Sequence, residues 1–174
     1  MKKASENRIR IREYCIFAAL APVMFVSKLL MELAPNVHLL ACFIITFTLV
    51  YRKKAIVIVM LFIFISGLFY GFDIWWFPYL YLWPLLHYLA LLIPENASDR
   101  KKTLLAIIIS TLHGLFYGIL YAPFQAIAFH LSFEGMLSWI AMGIPYDLIH
   151  AASNAASAFL VVPLARLIKK LSGR

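Results

Sequence analysis

The placement of positive charge constrains this chain more than any other feature. Fifteen of its sixteen Lys and Arg residues fall in four clusters that alternate with long apolar stretches. The clusters are Lys2, Lys3, Arg8, Arg10 and Arg12; Arg52, Lys53 and Lys54; Arg100, Lys101 and Lys102; and Arg166, Lys169, Lys170 and Arg174. Connections that stay on the cytoplasmic side of a membrane are enriched in Lys and Arg. The alternation therefore predicts six membrane-spanning helices with both termini inside. The connections around Asn36, Asp73 and Glu134 carry acids and no Lys or Arg, which places them on the outer face; Lys28 alone departs from the pattern.

With 64% hydrophobic residues and a mean hydropathy of +0.87, the chain has more apolar surface than a soluble domain of 174 residues buries. The expected fold is an all-α integral membrane bundle. Its net charge of +8 is split into short juxtamembrane blocks and forms no single patch, which argues against a nucleic-acid partner. Six spans leave only short connections, so residues 1–174 read as one membrane domain with a basic cytoplasmic segment at 1–12.

The expected spans are 13–33, 37–51, 55–72, 75–93, 103–130 and 145–168, against roughly 20 residues needed to cross. The basic head and apolar body of the N-terminus resemble a signal peptide, but the apolar run lacks a small-residue cleavage site, so it reads as a retained first helix. Residues 136–143 read as a short amphipathic piece leading to Pro145, which suits the first turn of a helix. Cys15 and Cys42 lie in apolar stretches without metal-ligand spacing and read as packing residues. The pentapeptide GLFYG occurs at Gly67 to Gly71 and again at Gly114 to Gly118. Small residues four apart allow close helix approach, so both copies read as packing seams.

Polar and amphipathic residues gather at one depth, in the outer half. Lys28 and Glu32 end the first span, Tyr70 and Asp73 the third, and the fourth opens with Trp75, Trp76, Tyr79, Tyr81 and Trp83 before His87. The fifth adds His113, Tyr117, Tyr121 and Gln125; the sixth adds Tyr146, Asp147, His150 and Asn154. Inner halves such as AIVIVMLFIFI and AFLVVPLA are almost free of polar groups. Ionisable residues in a bilayer face a bundle interior or a wet cavity, so the pattern predicts a pocket open to the outside and sealed inside. His113, Tyr117 and Tyr121 share one helix face at i, i+4 and i+8, and Asp147, His150 and Asn154 share another at i, i+3 and i+7. Such stripes suit a small heteroaromatic ligand.

Several of these residues fit two roles. Trp75, Trp76, Tyr79 and Trp83 fit an interfacial aromatic belt as well as cavity walls. Asp147 fits a helix-capping carboxylate as well as a ligand contact. Lys28 and Glu32, at i and i+4, read first as a self-neutralising pair. His87 and His113 fit hydrogen-bonded core residues, whereas His150 and Asn154, flanked by Ala151, Ala152 and Ala155, are the leading ligand candidates. A metal site from His87, His113 and His150 is a minor alternative. The chain has no G-x-x-x-x-G-K-S/T, H-E-x-x-H or G-x-S-x-G motif, which argues against a P-loop ATPase, a zinc protease and a serine hydrolase of those types.

Nearly the whole chain resembles the substrate-binding S component of energy-coupling factor (ECF) vitamin transporters. The resemblance rests on VSKLLMELAPNVHLLACFIITFTLVYRKKA, on GLFYGFDIWWFPYLYLWPLL and on GIPYDLIHAASN. It implies capture of a small water-soluble vitamin or related micronutrient from outside. Delivery inward then involves a transmembrane coupling subunit and two ATPase subunits of an ABC-type importer, in the cytoplasmic membrane of a prokaryote. The family's use of the first outer loop and last helix maps to Asn36, Trp75, Tyr79, His150 and Asn154. Its Ala-x-x-x-Ala docking surface corresponds here to Cys15 with Ala19 and Ala18 with Pro22, an approximate match. No catalytic residue, cofactor or metal is expected, since ATP hydrolysis belongs to the partners. The outward acids Glu32, Asp73, Glu134 and Asp147 against Lys28 favour a neutral or cationic heterocycle. The alternatives are a six-span membrane enzyme with an outward-facing active site, or an assembly subunit.

Overall fold

Helix α2 (Leu40–Tyr51) is apolar on every side and the rest of the chain folds around it. A helix without a polar face belongs in an interior, and eleven of its twelve residues are buried. The computed structural model describes residues 2–34 and 36–173, with side chains described from residue 11 onward. Among the described residues there are no strands. The remaining helices are α1 (Lys2–Leu30), α3 (Ile56–Tyr70), α4 (Tyr79–Ala90), α5 (Asp99–Leu115), α6 (Tyr117–Ala128), α7 (Phe133–Ala158) and α8 (Val161–Ser172). Two 3-10 turns, Arg52–Ala55 and Ile74–Trp76, lie between α2 and α3 and before α4.

Three stretches are long and apolar enough to cross a membrane: Ile11–Leu30, Leu40–Tyr70 and Asp99–Ala128. A fourth follows if α7 and α8, bent by 50° at their junction, form one span. Within the expected fourth span, 75–93, the one α-helix is the 12-residue α4. At 1.5 Å per residue α4 rises about 18 Å, short of a hydrocarbon core of about 30 Å. Leu40–Tyr70 is interrupted at Arg52, whose φ of +50° lies outside the right-handed helical region.

The last part of the chain differs from expectation. Residues 136–143 are not a separate amphipathic piece, because α7 starts at Phe133 and runs through them. Ser132 caps it, its Oγ accepting from the Gly135 N–H at 3.1 Å. Glu134 lies in the first turn, where the free N–H groups and the helix dipole favour a carboxylate. Pro145 is therefore interior, where it withholds one N–H from the helical hydrogen-bond ladder without ending α7.

Both faces of the helices are apolar. Phe17, Met24, Ile44, Phe62 and Trp83 are fully buried, while Leu30, Leu68, Phe69, Leu92, Ile127 and Met142 are exposed. Apolarity alone cannot choose which side faces in, so small residues select the contacts. At Gly114 an added Cβ would lie 2.9 Å from the Ala151 backbone nitrogen, and at Gly118 it would strike the Asp147 carboxylate. The second GLFYG is thus a packing seam for α7. The first copy is different: Gly67 lies under Phe72 and Trp76, and Gly71, at φ +91°, ends α3.

Three of the basic clusters converge at one end of the bundle, where Arg52, Lys102, Arg166 and Lys169 line a shared cavity of about 130 Å³. Arg52 donates to the carbonyls of Leu91 (2.9 Å) and Ile93 (3.1 Å) and pairs with Glu95. Arg166 pairs with Asp99, and Lys54 with buried Glu13 at 2.6 Å.

Candidate functional site

At the opposite end a cavity of about 180 Å³ opens beside the α1–α2 connection. The end of α1 contributes Lys28, the connection Glu32, Asn36 and His38, α4 Tyr79 and Trp83, α6 Tyr117, and α7 His150. Two links define its geometry. Helix α7 is fixed to α5 by a reciprocal pair: Asn154 Nδ2 donates to the Ser110 carbonyl at 3.0 Å, and Ser110 Oγ donates to the Asn154 carbonyl at 3.4 Å. The α1–α2 connection is fixed to α7 by Asn36 Nδ2 on the Tyr146 carbonyl (3.3 Å) and the His38 N–H on Ser153 Oγ (3.3 Å). Asn36 takes φ +59°, a left-handed conformation that Asn adopts more readily than most residues.

These links bring the His38 ring edge-on to His150, with centroids 4.7 Å apart. Tyr117 meets His150 at 5.0 Å, and Trp83 lies 5.9 Å from His38 and 5.8 Å from Tyr117. Four buried polar atoms in this cluster have no hydrogen-bond partner: His38 Nδ1, Trp83 Nε1, His113 Nδ1 and His150 Nε2. Burying such a group unpaired costs about 1–3 kcal/mol, and three of the four belong to residues that line the cavity. At the rim Lys28 Nζ is 2.9 Å from Glu32 and 4.3 Å above the Tyr70 ring, and the Tyr70 hydroxyl donates to Glu32. Among the described residues these are the only two charges lining the cavity, and they neutralise each other.

Of the residues expected from sequence, Asn36, Tyr79, Trp83, Tyr117 and His150 meet at this cavity. His113 lies behind it, 5.7 Å from Trp83 and 6.4 Å from His150. Its Nε2 sits 3.0 Å from the Leu82 carbonyl, an acceptor, so the proton is on Nε2 and Nδ1 is an acceptor. Trp75 and Tyr121 line a wider neighbouring depression of about 440 Å³ with Asp73, Gln125 and Trp139. Asn154 faces α5, and Tyr146 is exposed, entering only through its carbonyl. Asp147 lies in the interior of α7 and not in a first turn, but it does cap a helix: both carboxylate oxygens accept from Gly118 N–H near the start of α6.

His87 sits in the core, its Nδ1 2.8 Å from Thr48 Oγ1. Among the described residues no three His, Cys, Asp or Glu side chains are grouped to hold a metal ion. His38 is a polar lining residue that the sequence reading missed; its one signal was its place two residues after Asn36, between the first two helices. Cys15, Ala18, Ala19 and Pro22 form one exposed face of α1, opposite buried Phe17, Ala21 and Met24. Both cysteines are free. Comparison with protein-family models, curated proteins and solved structures gives no match for this chain.

Proposed function

We propose that this chain is a membrane-embedded capture subunit of an ECF-type ABC importer, binding a small water-soluble vitamin or related micronutrient from outside. The observation that carries the reading is the cavity lined by Trp83 and His150, buried residues that each hold a polar atom without a hydrogen-bond partner. Buried polar groups also occur toward the basic end, where His87 pairs with Thr48 and Glu13 with Lys54, so His87 does not belong to the outer cluster expected from sequence.

In this reading the chain crosses the membrane six times with both termini in the cytoplasm of a prokaryote. Convergence of three basic clusters at one end supports that orientation. The short α2 and α4 cross as packed inner elements. The exposed small-residue face at Cys15, Ala18, Ala19 and Pro22 docks a transmembrane coupling subunit, and two ATPase subunits supply ATP hydrolysis. The enzyme alternative has less support, because neither His38 nor His150 is hydrogen-bonded to a carboxylate among the described residues, while Asp147 and Glu32 are engaged elsewhere. Native mass spectrometry of the chain purified alone in mild detergent tests the reading. A stoichiometric small-molecule adduct that disappears in His150→Ala is the expected result; an adduct indifferent to that change overturns it.

A further inference from the structure

We infer that the cavity takes a neutral, single-ring nitrogen heteroarene bearing one exocyclic amino, amide or oxo group, oriented by Trp83, His38 and His150. This rests on the capture reading above and narrows it to one chemical class. Three observations converge on it. The first is size: about 180 Å³ falls below the roughly 300–1,000 Å³ of sites that hold drug-sized ligands. One ring with a short substituent fits, and a fused tricycle or nucleotide does not.

The second observation is charge. Lys28 and Glu32 are paired with each other, and Glu32 also accepts from Tyr70. A charged ligand would be desolvated with no free countercharge on the described wall, which is costly. This refines the balance of outward acids over bases, because Asp147 is committed to Gly118 and Asp73 lies at the neighbouring depression.

The third is the arrangement of polar atoms. Trp83 Nε1 is only a donor, so a ligand that reaches it offers an acceptor. His38 Nδ1 and His150 Nε2 each serve as donor or acceptor according to tautomer. The two rings lie 4.7 Å apart, close enough for neighbouring atoms of one small polar edge. A ring nitrogen beside an amino, amide or oxo group is such an edge, and the rings of Tyr79 and Tyr117 supply apolar wall.

The test uses the full chain in nanodiscs, titrated calorimetrically with nicotinamide, cytosine, nicotinate, thiamine and riboflavin. Nicotinamide and nicotinate share a ring and differ in charge, so that pair isolates charge from size. Nicotinamide or cytosine is expected to bind, with nicotinate, thiamine and riboflavin each at least tenfold weaker. His150→Ala and Trp83→Phe should each reduce that affinity about tenfold in the protein that remains folded. His38→Ala, in a connection and outside any helix, gives the same readout if Trp83→Phe does not fold. Tighter binding of nicotinate, thiamine or riboflavin overturns the ligand class while leaving the capture reading standing. Absence of binding by all five, together with a clean native mass, overturns both.

Discussion

Asp147 closes a helix to which it does not belong: from the interior of α7 its two carboxylate oxygens each lie 3.1 Å from the Gly118 N–H, near the start of α6. Phe116, the residue at the cap position of α6, makes no side-chain cap bond. A negative charge near a helix N-terminus is favourable, and losing a capping oxygen costs about 0.5–2 kcal/mol. Asp147→Ala should lower the thermal midpoint measured by scanning fluorimetry in detergent. Asp147→Asn, which keeps an acceptor but removes the charge, should lower it less.

The same contact makes Gly118 intolerant of a side chain. Gly118→Ala drives a methyl group into the Asp147 carboxylate and should cost about 1–3 kcal/mol. Gly143→Ala, on the same helix as Asp147 but with open space around it, is the matched control. Equal unfolding midpoints for the two variants would contradict the proposed seam.

Asn154 and His150 should separate in their effects. Asn154→Ala removes the side-chain donor that ties α7 to the Ser110 carbonyl of α5, at a cost of about 0.5–1.5 kcal/mol. It should reduce stability with little direct effect on ligand affinity once the folded fraction is accounted for. His150→Ala should do the reverse. Paired thermal and calorimetric measurements on each variant check this.

Asn36→Ala removes the bond to the Tyr146 carbonyl and puts a β-carbon at φ +59° without the local hydrogen bonding Asn offers. Asn36→Gly removes only the bond. Affinity read by isothermal titration should be highest in the wild type, lower in Asn36→Gly and lowest in Asn36→Ala.

Orientation is open to labelling. With Cys15 and Cys42 replaced by Ala, a single cysteine introduced at Gly135 should react with a membrane-impermeant maleimide added to intact cells. One introduced at Asn96 should react only after the membrane is opened. Labelling of both positions from outside would contradict the six-span topology.

The helical class was readable because apolar stretches and basic clusters alternate so regularly. The course of α7 was less so, since Pro145 after a mixed segment looks like a helix start by rules drawn from water-soluble helices, whereas here it lies inside one. At the site, the helix-face spacing of Tyr117 and His150 led to the cavity. The same spacing grouped Asp147 and Asn154 with His150, although one meets α6 and the other α5. Periodicity identifies a buried stripe but does not tell which neighbour each residue meets. His38 has no periodicity to reveal it, because it lies in a connection whose path is set by bonds to α7.

The central position of α2 bears on the order in which the protein is made. Helices α4, α5, α7 and α8, which pack around it, are all synthesised after it. A nascent α2 has lipid in place of those partners, and lipid accepts its Leu, Ile, Phe and Val side chains as well as the finished interior does. Its Thr48 hydroxyl already donates to the Ile44 carbonyl one turn back, 2.7 Å away, so it does not depend on His87 for an acceptor. The helix at the middle of the assembled bundle gains most of its contacts only after the later helices have been made, the Thr46 bond to the Val161 carbonyl of α8 among the last.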